Sequence, residues 1–166
     1  MNINNLAIAK NLIYDKCGFN FSELKIEEES AEYDACTFQL NSKSVLHRTA
    51  KITPTKTGQF VTIWKRDENG ETTPFHVNDD FDLIIISTRN GDLFGQFIFP
   101  KSILLEKGIV SNPKKQGKRG IRVYPSWDIT TNKQAKKTQL WQLNYFIDAS
   151  AHLIDINRIN QLMSLA

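Results

Sequence analysis

The chain has 166 residues, 40% of them hydrophobic and 23% charged, with two cysteines and a formal net charge of +3. That size and balance suit one soluble core and exclude wholesale disorder. No apolar run approaches the roughly 18 residues of a membrane span, and the N-terminus lacks the basic region and apolar run of a signal peptide. A cytoplasmic protein with no membrane partner is expected, its Cys17 and Cys36 kept as reduced thiols because they have no metal-like spacing.

In chain order, NNLAIAKNLIYDKCG places Leu6, Ile8, Leu12 and Ile13 near helical spacing, with Gly18 as a stop. FSELKIEEESAEYD is acidic and reads either as a helical turn opened by Ser22 or as an irregular cover for the core. From Ala35, ACTFQL, the turn NSK and SVLHRTAKIT read as a β-hairpin that Pro54 ends. TKTG then turns the chain into the strand QFVTIWKR, where Phe60, Thr62 and Trp64 alternate with Val61, Ile63 and Lys65. RDENGETTPFHVNDD is a polar, turn-rich connection. FDLIIIS and LFGQFIFP form a second hairpin through Asn90-Gly91, and such apolar strands belong in a sheet covered on both faces. PKSILLEKG predicts a short helix, IVSNPKKQGKRG a loop and IRVYP a strand. TTNKQAKKTQLWQLNYFID predicts a long helix with Ala135, Leu140, Leu143, Phe146 and Ile147 on its core side, and DINRINQLMSLA a terminal helix. The expected fold is α+β: a single domain over residues 1–166 with a central mixed sheet.

The net charge hides a strong alternation. By residue range it runs −4 over 1–40, +6 over 41–66, −6 over 67–92 and +8 over 101–137. A two-faced molecule follows if the two basic blocks meet in space.

Catalytic constellations are poorly represented. A metal-dependent nuclease needs carboxylates converging on a cation, with a lysine beside the developing charge. Asp82 opens DLIIIST and Gln96-Phe97-Ile98 follows fourteen residues on, but the lysine slot holds Ile98. Glu29, Glu32 and Asp34 offer further acids, more simply read as a solvated face. The P-loop glycine spacing is absent from TPTKTGQ. His47, His76 and His152 are scattered over a strand, a loop and the tail, with no zinc signature.

The binding signal is stronger. KKQGKRGIRVYPSWD, Lys114 to Asp128, carries five cations, two glycines and two aromatic rings. Cations neutralise phosphates and release counterions, while exposed rings give unpaired bases a stacking surface. The candidate residues are Arg48, Lys51, Lys56, Lys65, Lys101, Lys114, Lys115, Lys118, Arg119, Arg122, Lys133, Lys136 and Lys137, with Tyr124 and Trp127 for stacking. Trp64 and Trp141 are expected to have buried rings.

RTAKITPTKTGQFVTIWKR, GQFIFPKSILLEKGIVS and GKRGIRVYPSWD followed by KQAKKTQLWQLNYF resemble the MepB family over about residues 29–147. These are small bacterial proteins, some encoded beside a multidrug efflux pump and its repressor. The resemblance implies a fold like the PD-(D/E)XK endonucleases, a mixed sheet flanked by helices, without conferring their catalytic residues. Together the residues and the resemblance lead to a nucleic-acid-binding protein on an endonuclease-like scaffold. It is expected to bind RNA or single-stranded DNA at least as well as duplex, without catalysis or cofactor. The alternative is a nuclease with a rearranged metal site drawn from Glu29, Glu32, Asp34 or Asp82. A third and weaker reading gives the acidic block at 67–92 a protein or cationic drug as partner.

Overall fold

The computed structural model describes residues 4–150 and 153–166; His152 lies outside them. The chain opens with α1 (Asn4–Ala9), which widens into a π-helical turn over Lys10–Tyr14. A six-stranded sheet follows, built from β1 (Phe21–Ile26), β2 (Cys36–Leu40), β3 (Lys43–Thr49), β8 (Leu83–Asn90), β9 (Leu93–Pro100) and β11 (Phe146–Asp148), in that spatial order. All neighbours are antiparallel except β3 and β8, which run parallel. The crossover between those two carries β4 (Lys51–Ile52), β5 (Gln59–Thr62), β6 (Trp64–Arg66) and β7 (Thr72–Pro74). β10 (Gly120–Val123) joins β5 and β4 in a second, three-stranded antiparallel sheet, while β6 and β7 pair separately. The helices α2 (Lys101–Glu106), α3 (Lys133–Gln142) and α4 (Ile156–Ser164) complete the fold. The expected single α+β unit with a mixed central sheet is what the chain forms.

Two cores sandwich the central sheet, because successive side chains on a strand point to opposite faces. One face packs Val45, Leu83, Ile85 and Ile98 against α1 and α4. The other packs Leu46, Ile84, Ile86, Phe97 and Phe99 against the small sheet, α2 and the end of α3. β3, β8 and β9 are therefore buried on both sides, which explains the apolar runs Leu83–Ile86 in β8 and Phe97–Phe99 in β9.

Several local expectations are corrected. FSELKI is the edge strand β1, with a bulge where Glu23 adopts φ 57° and register shifts between Ser22 and Lys25. A 3-10 turn over Ala31–Tyr33 follows it. Ala50 separates β3 from β4, and Ile63 separates β5 from β6. The two-residue turn between β8 and β9 is Gly91–Asp92, one residue beyond the expected Asn90-Gly91. α3 stops at Gln142, and Phe146 and Ile147 lie in β11. Leu140 points outward at 75% exposure, while Gln142 takes the buried position.

Candidate nucleic-acid interface

β10, β5 and β4 form one floor, and α3 rises beside it. The helix starts where the Asn132 side chain accepts the Ala135 N–H at 2.8 Å, a cap for donors that a first turn leaves open. Gln142 ties its other end to the floor. Its Oε1 accepts the Tyr124 N–H at 2.9 Å and its Nε2 donates to the Arg122 carbonyl at 2.9 Å. Between floor, α3 and the end of α2 lies a groove of about 740 Å³.

Five cations line it: Lys56, Lys107, Lys118, Arg122 and Lys137, against one acid, Glu106. Phe60, Tyr124 and Trp141 line it too. Trp141 packs on Phe99 at 5.5 Å between centroids, and the Lys107 ammonium sits 5.4 Å from its ring centre. The expectation of a buried Trp141 is thus corrected: the ring is half-buried and forms part of the groove wall. Lys107 and Phe60 went unrecognised in the sequence, although the helical continuation of SILLEK placed Lys107 beside the basic loop.

The loop of residues 53–58 brings Lys56 into the groove. Arg122 fastens it, donating to Thr53 Oγ1 at 2.8 Å and to the Thr57 carbonyl at 3.3 Å. Gly58 has φ +85°, and a Cβ there would sit 2.7 Å from the Tyr124 ring. Only glycine tolerates both that backbone and that contact.

Eight of the ten remaining candidates divide into three groups. Lys114, Lys115, Lys133 and Lys136 are exposed outside the groove lining; the backbone N–H groups of Lys114 and Lys115 are held by Asn112 Oδ1 at 2.8 Å each. Arg119 reaches away to the Thr72 carbonyl at 3.0 Å. Lys65 pairs with Asp79, whose carbonyl accepts from Lys101 at 2.6 Å, and Lys51 pairs with Glu32 at 3.2 Å. Two expectations fail outright. Arg48 is 1% exposed, facing Glu27 at 3.6 Å, with burial lowering its pKa and Glu27 opposing that. It lies under the central sheet's second core face and lines no groove. Trp127 packs edge-on against Phe146 at 5.6 Å with a buried indole nitrogen, so its ring is structural. Of the first basic block, Lys56 alone joins the second block in the groove lining.

Three of the four acids named for the nuclease alternative have partners in the fold. Glu29 pairs with Arg66, Glu32 with Lys51, and Asp82 Oδ2 accepts the Ser44 N–H at 2.8 Å. Among the described residues, no three His, Cys, Asp or Glu side chains gather as metal ligands would. Ile98 is core, and Gln96 is spent inside a buried polar chain. Tyr14 donates to Gln96 Oε1 at 2.9 Å and Gln96 Nε2 donates to Ser87 Oγ at 2.9 Å. His47 Nε2 lies 2.8 Å from the same hydroxyl, and its Nδ1 lies 3.6 Å from Cys36 Sγ. Burial pushes the Cys36 thiol up to about 12 and the His47 imidazole down to about 4. Both are therefore neutral near pH 7, and the pair is no activated thiolate. His76 serves its own turn, accepting the Asn78 N–H at 3.1 Å.

Residues 27–148 match the model of the MepB-like family. This chain belongs to that family. The crystal structure of MepB is similar over 89% of this chain and 97% of its own, at 35% identity and a TM-score of 0.77. The structure of a bacterial homing endonuclease is similar over 86% of this chain and 91% of its own, at 14% identity and a TM-score of 0.47. No curated protein sequence matches the chain. Among the described residues, no helix is long and apolar enough to cross a membrane.

Proposed function

We propose that this MepB-like protein binds nucleic acid in the groove between α3 and the small sheet, taking RNA or single-stranded DNA at least as well as duplex, without cutting it. One observation carries the reading: five cations and three aromatic rings from four separate chain segments converge on one groove that holds a single acid. Phosphates are neutralised by lysine and arginine with release of counterions. Rings beside those cations offer stacking surfaces to unpaired bases, which a duplex keeps to itself. No three of the described His, Cys, Asp or Glu side chains gather as metal ligands would, so no hydrolytic step is assigned.

The test is fluorescence anisotropy with labelled single-stranded RNA, single-stranded DNA and duplex DNA across a salt series, with and without Mn²⁺, followed by denaturing gels. Salt-sensitive binding that leaves the oligonucleotide intact is expected. Shortening in Mn²⁺ would overturn the non-catalytic reading. Absence of binding at low salt would overturn the whole of it.

A further inference from the structure

We propose that residues 27–34 are a displaceable acidic strap covering the continuation of the cationic floor, and that a bound polyanion takes its place; this rests on reading the groove as a nucleic-acid site. Strand register defines the floor. Arg122 pairs with Phe60, and Phe60 pairs with Lys51 across the small sheet. Cross-strand partners project on one face, so these three side chains form a row, with Thr62 two residues along from Phe60 on the same side. The alternate residues Val61, Ile121 and Val123 point into the core.

Half of that outer face lies open in the groove; the strap sits on the rest. Ser30 Oγ is 3.0 Å from Thr62 Oγ1. The Tyr33 ring meets Phe60 edge-on at 6.2 Å, and the Lys51 ammonium lies 4.6 Å from the Tyr33 ring centre. Glu32 holds Lys51, and Glu29 holds Arg66 at the neighbouring β6. The carboxylates thus occupy cations that continue the groove, the position a phosphate backbone would take on leaving it.

The strap is built to move without unzipping the sheet. The Glu27 N–H donates to the Ala35 carbonyl at 3.0 Å, and Ile26 pairs with Cys36, so the ends are stitched together. A short loop with adjoining ends swings as a unit. Ser30 and Asp34, both non-glycine, flank its 3-10 turn in left-handed backbone at φ 56° and 50°, a conformation such residues rarely adopt. Glu27 stays at the strap's base on the buried Arg48 at 3.6 Å, while the two outer ion pairs are solvent-facing, with the Glu29 and Glu32 side chains 48% and 70% exposed, and pairs of that kind hold weakly and are screened by salt.

The experiment compares the wild-type chain with Glu29→Gln/Glu32→Gln, using a labelled single-stranded oligonucleotide. The control is Asp15→Asn/Glu23→Gln, which makes the same charge change and frees Lys10 from its pair beside α1, away from the small sheet. Because the oligonucleotide no longer has to break two exposed ion pairs, the double variant should bind more tightly than the control by about 2- to 30-fold at low salt, with the salt slope of the wild type. Hydrogen exchange supplies a second readout: oligonucleotide should speed exchange over residues 28–34 and slow it over 118–124. Affinity equal to the control, with 28–34 unchanged or protected, overturns the strap and leaves the groove standing. A wild-type chain that fails to bind at low salt overturns the groove reading itself.

Discussion

Moving from pH 7 to pH 5 should destabilise this protein through one residue, His47. Its imidazole is fully buried at the centre of β3, wedged between Ser87 Oγ at 2.8 Å and Cys36 Sγ at 3.6 Å. Burial holds its pKa down at about 4 in the native chain, from an ordinary value of 6.5. Between those values the unfolded chain binds a proton that the native chain does not, so stability rises with pH. The contribution is fully present above pH 6.5 and is lost progressively as the pH falls toward 4. At pH 5 the unfolded imidazole is about 97% protonated and the native one about 10%, a loss of about 2 kcal/mol by linkage. Urea unfolding of wild type and His47→Gln at pH 7 and pH 5 measures it. The wild type should lose about 2 kcal/mol more than the variant over that interval. Equal losses in the two would refute a buried neutral imidazole, since the other acid-titrating groups are common to both.

Four further outcomes are expected. Lys118→Ala/Arg122→Ala/Lys137→Ala should weaken binding to every sequence and flatten the salt slope by about 2, at about 0.7 per single-strand phosphate; an unchanged slope in anisotropy titrations would place the phosphates elsewhere. Oligonucleotide should quench tryptophan emission through Trp141, and the quench should vanish in Trp141→Phe yet persist in Trp127→Phe. Trp141→Ala should reduce affinity by roughly 1–3 kcal/mol, the worth of one stacked base. Gln142→Leu strands the Tyr124 N–H and the Arg122 carbonyl, costing about 1–3 kcal/mol for each buried group left unpaired, read by urea unfolding.

Strand pairing was legible where turn chemistry lay between runs rich in branched and aromatic residues, as in both hairpins, β2–β3 and β8–β9. It was illegible in β1, whose single glutamate, bulge and acidic continuation disguise an edge strand that needs no continuous apolar face. The end of α3 was misread because TQLWQLNYF keeps apolar residues at near-helical spacing across a 3-10 turn and into β11. Helical periodicity sent Leu140 inward, but the helix leans on a sheet edge through Gln142, an amide-to-backbone contact with no hydrophobic signature. Charge was the most deceptive signal. Arg48, Lys51, Lys65 and Arg66 read as one basic patch, yet each meets an acid remote in sequence: Glu27, Glu32, Asp79 and Glu29. Composition counts charges; only the fold pairs them. In the second block Lys118, Arg122 and Lys137 share one groove lining with a single acid, Glu106.

The parallel pairing of β3 with β8 has a consequence for how the molecule comes together in time. Residues 50–82 must close as a loop before those strands meet, an entropic cost of about 3 kcal/mol for a flexible segment of that length. β4 and β5 ride on that segment, whereas β10 and α3 lie beyond β9 in the chain. The strands β1, β2, β3, β8 and β9 can therefore pair while the groove is still in pieces. Binding competence should be acquired late in refolding, together with the second core face that Val61, Ile121 and Val123 complete, trailing the pairing of β3 with β8 by the time β10 needs to find β5.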